Sequence, residues 1–275
     1  IMGRLADTTP NDPSYGALWG VPKIEMPKVW DMTTGDGGVV VAVFDTGTML
    51  THPDLLDNLW QNPGEIPANG VDDDGNGYID DIYGWDFYDG DDDPSDVQGH
   101  GTHVAGTIGA VGNNAIGVAG VGWNIKIMTI KFFGYSGSNL EGYASDAMAG
   151  VYYVIKQRTQ GVPVRVTNHS WGGSSNSQIL RDALEAAGYQ GILHVAAAGN
   201  NGTLNNDAAP HYPSSFTLGN MIAVANTTQS DGLNSASHYG ANSVDLGAPG
   251  VSTYSTTWNG GYGNKSGTSM STPHV

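Results

Sequence analysis

Four residues of this 275-residue chain carry side chains that together could attack an acyl carbon and stabilise what forms there: Asp45, His100, Asn200 and Ser269. Ser269 lies in Gly267-Thr268-Ser269-Met270, a tight turn expected to run into a helix at about Ser269, with Gly267 making the turn and Thr268 capping the helix. A helix start offers backbone N–H groups and a positive dipole end to negative charge developing beside the hydroxyl. A serine hydroxyl is a weak nucleophile without a base. His100, in Gln98-Gly99-His100-Gly101-Thr102-His103, opens a second helix between glycines that permit close approach, and is the candidate base. Asp45 follows the apolar run Val39–Phe44 and could orient the imidazole. Asn200, after Ala196-Ala197-Ala198-Gly199, offers an amide donor to an oxyanion where small residues leave room for a substrate backbone.

Two other chemistries compete for the same residues. His100 and His103 are three apart, whereas zinc pairs on helices usually sit four apart with a Glu between them. Asp45-Thr46-Gly47 resembles an aspartic-peptidase signature, but that chemistry needs two carboxylates sharing a proton. No second Asp-Thr-Gly or Asp-Ser-Gly occurs in the chain.

The elements that must position these residues are legible as apolar runs. Strands are predicted over 39–44, 125–132, 162–167, 192–198, 221–225 and 243–246. Helices are predicted over 99–110, 144–158 and 179–187, alternating with the strands. This alternation predicts an α/β fold of three layers, a mostly parallel central sheet with helices on both faces. Asp45, Ser170 and Asn200 then fall at the carboxyl ends of strands, where such sheets gather their sites. Residues 56–98 read as a long acidic, Gly-rich insertion without regular structure.

Charge narrows the partners. The net charge of −17 disfavours nucleic acid and anionic membranes. Of the 27 Asp and Glu residues, 14 lie between Asp54 and Asp96, a stretch with no Lys or Arg, and such density calls for cations. With no Cys, neither disulfides nor thiolate chemistry is available. No run is long enough to span a membrane and no signal peptide is visible. A start at Ile1 suggests a processed or excerpted segment.

Asp-Thr-Gly (45–47), His-Gly-Thr-His-Val-Ala-Gly-Thr (100–107), Ala-Ala-Gly-Asn (197–200) and Gly-Thr-Ser-Met-Ser-Thr-Pro-His (267–274) resemble, in that order, the subtilisin-like serine proteases. The early Pro10-Asn11-Asp12-Pro13 and Gly84-Trp85-Asp86-Phe87 are similar to the thermitase-like branch. Sedolisins differ, carrying Glu where His100 stands and Asp where Asn200 stands. The resemblance implies a secreted serine endopeptidase acting on protein or peptide substrates. In it, Ser269 is the nucleophile, His100 the general base and then acid, Asp45 the orienting carboxylate, and Asn200 the oxyanion donor. Ser170-Trp171-Gly172-Gly173 matches the segment that pairs with an extended substrate, and Gly134–Gly137 the strand on its other side. Ala198 and Gly199 belong to the pocket wall, with His211 near its floor. These small, apolar walls imply a preference for large apolar or aromatic residues before the cut. Ser271 stands where the family usually has Ala.

The resemblance also gives the acidic stretch a purpose, as Ca2+ sites. Asp12, Asp54 and Asn114 with carbonyls of Gly112, Ile116 and Val118 match one site. Asp86, Asp89, Asp91 and Asp93 match a second. Asp72, Asp74, Asn76 and Asp81 suggest a third, in a segment that begins like an EF-hand loop but has Tyr83 at its twelfth position. Residues 1–275 are read as one peptidase catalytic domain, a monomer, matured from an N-terminal propeptide and with its last helix continuing beyond Val275. The alternative of another class is a catalytically silent, calcium-dependent peptide-binding relative.

Overall fold

The computed structural model describes residues 7–202 and 204–275. In chain order, α1 (Gly20–Lys23) and α2 (Met26–Trp30) precede β1 (Val40–Asp45). Then come β2 (Gly84–Asp86), α3 (His100–Gly109), β3 (Lys126–Lys131), β4 (Phe133–Ser136), β5 (Asn139–Gly142) and α4 (Ala144–Thr159). The second half supplies β6 (Val164–His169), α5 (Gln178–Gly188), β7 (Leu193–Ala197), β8 (Met221–Thr227) and β9 (Leu246–Pro249). It closes with β10 (Thr253–Thr256), β11 (Tyr262–Lys265) and α6 (Thr268–Ser271).

Seven strands form one sheet in the order β2-β3-β1-β6-β7-β8-β9, with every neighbouring pair parallel. Such a sheet is covered on both faces, which is why β1 reads as an unbroken apolar run. On one face Ala42, Phe44, Met128 and Ile130 pack with Val151 and Val154 of α4 and Ala183 and Leu184 of α5. On the other, Val43 and Ile127 pack with Val104, Ala105 and Ile108 of α3 and with Met270 of α6. The result is the expected three-layer arrangement. Because β1, β6 and β7 are neighbours, Asp45, Ser170 and Asn200 leave the sheet side by side.

Several boundaries differ from the sequence reading for physical reasons. β6 runs on to His169 because its polar end is satisfied internally. Thr167 Oγ1 meets His169 Nε2 at 2.8 Å and His194 Nδ1 at 2.5 Å. The late strand expected at 243–246 is β9, Leu246–Pro249. The acidic insertion contributes β2, which pairs with β3 at the sheet edge. β10 and β11 form an antiparallel hairpin that apolar periodicity does not announce. Thr268 is the first residue of α6 rather than its cap; Gly267 precedes it with no side-chain capping bond.

Candidate active site

Asp45 ends β1 with its side chain 2% exposed, and its Oδ1 lies 2.7 Å from His100 Nδ1. Oδ1 also accepts the Thr46 N–H at 2.8 Å. Two features lock the start of α3 against this turn. A Cβ on Gly101 would lie 2.1 Å from the Gly47 carbonyl oxygen, so only glycine permits the approach. Asp96, read from sequence merely as one of many acidic residues, accepts from Thr46 Oγ1 and from the N–H groups of Gln98, Gly99 and Thr102. It lies three residues before the N-cap, Gly99, outside the usual capping position, so local sequence carried no signal for it. Burial favours a neutral His100, but the charge of Asp45 and its hydrogen bond outweigh that and raise the imidazole above its usual range.

Ser269 faces Ser170 across the cleft. The Ser269 hydroxyl donates to the Ser170 carbonyl at 2.8 Å, and the Ser170 hydroxyl donates to the Ser269 carbonyl at 2.8 Å. Asn200 accepts through Oδ1 from the Thr268 N–H at 2.7 Å and from Thr268 Oγ1 at 3.1 Å. That fixes the amide so that its NH2 group is the end left to donate. Ser271 is fully buried and its hydroxyl donates to the Ala248 carbonyl at 2.8 Å, so the departure from Ala is satisfied.

Asp45, Thr46, Gln98 and His100 line one open cleft together with Phe133, Leu140, Ser170, Trp171 and Gly172. Phe133, Trp171 and Gly172 continue into an adjoining hollow with Tyr143 and Tyr212. Phe133 and Leu140 come from the β4–β5 hairpin and were not singled out from sequence. Gly134 is buried within β4, where Tyr88 packs on it; a Cβ there would lie 2.1 Å from that ring. Gly199 lies between Thr268, whose Oγ1 accepts its N–H at 3.2 Å, and the His238 ring. Ala198 is fully buried and its carbonyl accepts from Asn206. His211 packs behind Gly172 with its ring edge-on to His238, centroids 5.2 Å apart, and burial pushes its pKa down to about 4.

The acidic residues sort into three groups. Asp12 and Asp54, 4% and 0% exposed, accept from backbone N–H groups of Asn113 and Val118 and from the Asn114 side chain. Burial raises both carboxyls, and the charge of Asp12 adds to that at Asp54. Ile116 turns its N–H to Asn114 Oδ1, closing the loop after Gly112, which packs on Trp123. Around Asp86 a cation is already at hand: its carboxylate is ion-paired with buried Lys131, and Asp89 lies 3.5 Å from the same nitrogen. Asp91 and Asp93 instead accept the N–H groups of Asp93 and Ser95.

The third group also differs in membership. Carboxylate oxygens of Glu65, Asp74 and Asp81 lie within 4.8 Å of one another, the one such convergence of three among the described residues. Asp72 accepts the Asn76 and Gly77 N–H groups, and Glu65 those of Asp73, Asp74 and Asp80. Asn76 donates to both Asp74 and Asp81. Asp81 is fully buried, and desolvation lifts its pKa to about 6 despite hydrogen bonds from Tyr153, Asn62 and Asn76. Glu65 lies seven residues before Asp72 with no local pattern to mark it, so sequence offered no signal for it.

Known proteins share this arrangement. The chain is 37% identical over 268 residues to thermitase of Thermoactinomyces vulgaris, covering 97% of this chain and 82% of that protein. It is 38% identical to a thermophilic serine proteinase of Bacillus sp. (strain AK1), covering 97% of this chain but 58% of that protein. The crystal structure of a cold adapted subtilisin-like serine proteinase superposes with a TM-score of 0.65 at 34% identity, covering 86% of this chain and 72% of the other. Residues 36–275, from just before β1 to the Ser269 turn and beyond, match the subtilase family. The chain belongs to that family and is a serine endopeptidase.

Proposed function

We propose that Ser269, His100, Asp45 and Asn200 carry out the peptidase reaction, and that residues 1–275 act as one catalytic unit. The observation that carries this reading is the 2.7 Å contact between Asp45 and His100 in the cleft that Ser170 and Trp171 also line. When substrate enters, the Ser269 hydroxyl leaves the Ser170 carbonyl and attacks the scissile carbonyl carbon, its proton passing to His100 Nε2. The developing oxyanion is held by the Asn200 NH2 group and by the Ser269 N–H, a first-turn amide with no helical acceptor. Collapse breaks the C–N bond, and His100 gives its proton to the departing amine. Water, deprotonated by the same imidazole, then releases the acyl group and restores the serine. A serine-directed fluorophosphonate should label Ser269 stoichiometrically, as read by peptide mapping. Labelling elsewhere, or none in an active sample, would refute the assignment.

The segments 170–173 and 197–200 are backbone-rich and apolar, and with Phe133 and Leu140 favour large apolar or aromatic residues before the cut. Relatives include an extracellular basic protease of Dichelobacter nodosus. No helix among the described residues is long and apolar enough to cross a membrane. Secretion, a propeptide during maturation and a monomeric enzyme fit these observations. Calcium is the proposed cofactor. Two buried carboxylates at Asp12 and Asp54, and three converging at Glu65, Asp74 and Asp81, are oxygen donor sets that suit a hard divalent cation. No Lys or Arg forms an ion pair with any of them among the described residues. The Asp86 group carries its own cation, Lys131, and fits calcium less well.

A further inference from the structure

The chain has eight histidines, and the rings of six are committed. His100 meets Asp45, and His169 and His194 share the Thr167 hydroxyl. His52, His103 and His274 reach the backbone carbonyls of Gly261, Thr253 and Met270. The remaining two, His211 and His238, stand together behind the glycines of the segments 170–173 and 197–200. A Cβ on Gly172 would lie 2.4 Å from His211 Nε2, and one on Gly199 would lie 2.5 Å from His238 Nδ1. The two ring centres are 5.2 Å apart, with their planes at 74°.

Hydrogen bonds fix the state of His238. Asn206 Nδ2 donates to the Ala198 carbonyl at 2.9 Å, so its Oδ1 is the end that meets His238 Nδ1 at 2.9 Å. That nitrogen therefore carries the proton, and Nε2 keeps a bare lone pair. His238 is 4% exposed, and its Nε2 is buried with no partner among the described residues. A buried acceptor left unmatched is costly. Beside it, half-buried His211 bonds Ser215 and Ser214 only through its backbone, so neither nitrogen of its ring is committed among the described residues. Burial lowers the pKa of both rings, that of His211 to about 4, which leaves two neutral imidazoles at physiological pH.

An imidazole with one N–H held by a carbonyl oxygen and the other nitrogen bare is the form in which proteins offer histidine to a metal. Two imidazoles sharing a tetrahedral ion, each nitrogen about 2.0–2.1 Å from it, have ring centres roughly 5 Å apart. Nitrogen donors favour zinc or copper over the oxygen-seeking calcium. A net charge of −17 also draws cations to the surface.

We propose that His211 and His238 bind a zinc ion at the floor of the pocket for the residue before the cut, and that the ion reversibly inhibits the enzyme by taking the room a large side chain needs. His238 contributes Nε2, His211 turns one ring nitrogen to the same ion, and water fills the other positions. This inference rests on the reading of 170–173 and 197–200 as the walls of that pocket.

Zinc chloride titrated into Ser269→Ala by equilibrium dialysis, at constant calcium, tests the site without self-digestion. One zinc should bind, with affinity falling at least about tenfold when His211→Ala or His238→Gln is added. His211→Ala deletes a ring that makes no hydrogen bond, so the test stands even if the His238 variant fails to fold. In active enzyme, zinc should raise KM for a peptide with Phe before the cut, and much less for one with Ala there, leaving kcat unchanged. His211→Ala, compared with and without zinc, should lose that response. Equal zinc affinity in parent and both variants would overturn the site and leave the peptidase reading intact, because binding is measured without catalysis. Zinc held by these histidines with no change in KM would overturn its place in the pocket. Failure to cleave either peptide in the absence of zinc would instead count against the peptidase reading.

Discussion

Ser170 and Ser269 hold each other by two reciprocal hydrogen bonds, each hydroxyl donating to the other's carbonyl at 2.8 Å. The proposed nucleophile is thus parked on the Ser170 carbonyl oxygen, and on that reading must turn to His100 before it attacks. Ser269→Ala should lower kcat by about 10⁶, a magnitude taken from subtilisin, a relative, and not calculated for this chain. Ser170→Ala removes one positioning bond and should cost no more than about tenfold, given the modest net worth of a single hydrogen bond. Steady-state kcat on a peptide amide, with active sites titrated in the Ser170 variant, checks both.

Asn200→Ala should reduce kcat by about 10²–10³ with little change in KM, again a magnitude measured in subtilisin. Because Asn200 Oδ1 also accepts from Thr268, Asn200→Asp keeps that acceptor but loses the NH2 donor. It should therefore be as slow as the alanine variant. An Asp variant close to wild type would remove Asn200 from the oxyanion site.

The pH–rate profile follows from His100. The base acts when neutral, and Asp45 raises its pKa above the usual 6.5. The rate should therefore climb through an acid limb lying above 6.5 and level off at higher pH. Asp45→Asn removes the raising influence and should move that limb lower while depressing the plateau. kcat/KM measured across the pH range with and without the substitution tests the direction.

Acid should destabilise the fold through buried imidazoles. His194 and His274 are held near pKa 4, chiefly by burial, against about 6.5 in an unfolded chain. Their folded pKa values are the lower ones, so between about pH 6.5 and 4 the unfolded state binds more protons and stability falls as pH drops. Each fully mismatched histidine contributes about 1.4 kcal/mol per pH unit in that window. Melting curves of Ser269→Ala, which cannot digest itself, should drop from pH 7 to pH 5 at fixed calcium. His194→Gln should flatten that slope.

Calcium removal should act on stability more than on chemistry. A cation held at about a thousand times its dissociation constant stabilises by roughly 4 kcal/mol. For a chain of this size that is a shift of about 8–16 °C per site. Chelation should lower the melting temperature of Ser269→Ala by that order, with Glu65→Gln and Asp54→Ala each reproducing part of it. Asp89→Ala should do much less, because Lys131 already serves the Asp86 group. Superimposable melts from material shown to contain metal would mean the carboxylates are a solvated acidic surface.

The sequence was most readable where one residue type has one physical job. The apolar runs of β1, β3 and β7 and the glycines around His100 and before Ser269 located the cleft within a residue or two. Reading failed where polar residues satisfy each other at a distance. His169 falls beyond the strand predicted over 162–167, yet it bonds to Thr167 and His194 inside the sheet and lengthens β6. Lys131 hides in an apolar strand, and only the fold brings Asp86 to it. Glu65 reaches Asp74 and Asp81 through a loop with no periodicity, and Asp96 is indistinguishable in composition from its acidic neighbours. In each case the partner is fixed by tertiary geometry, to which local spacing is blind.

The sheet order β2-β3-β1-β6-β7-β8-β9 also sets a timetable. Asp45 and Ser269 are 224 positions apart, and α6 packs on α3, β7, β8 and β9, the last three of which follow β1 and α3 in the chain. Parallel pairing of distant strands is slow, since long loops must close before their contacts repay the lost entropy. A chain emerging in order therefore holds its carboxylate and histidine long before any nucleophile can join them. On the reading proposed above, synthesis and early collapse pass before Ser269 can join Asp45 and His100.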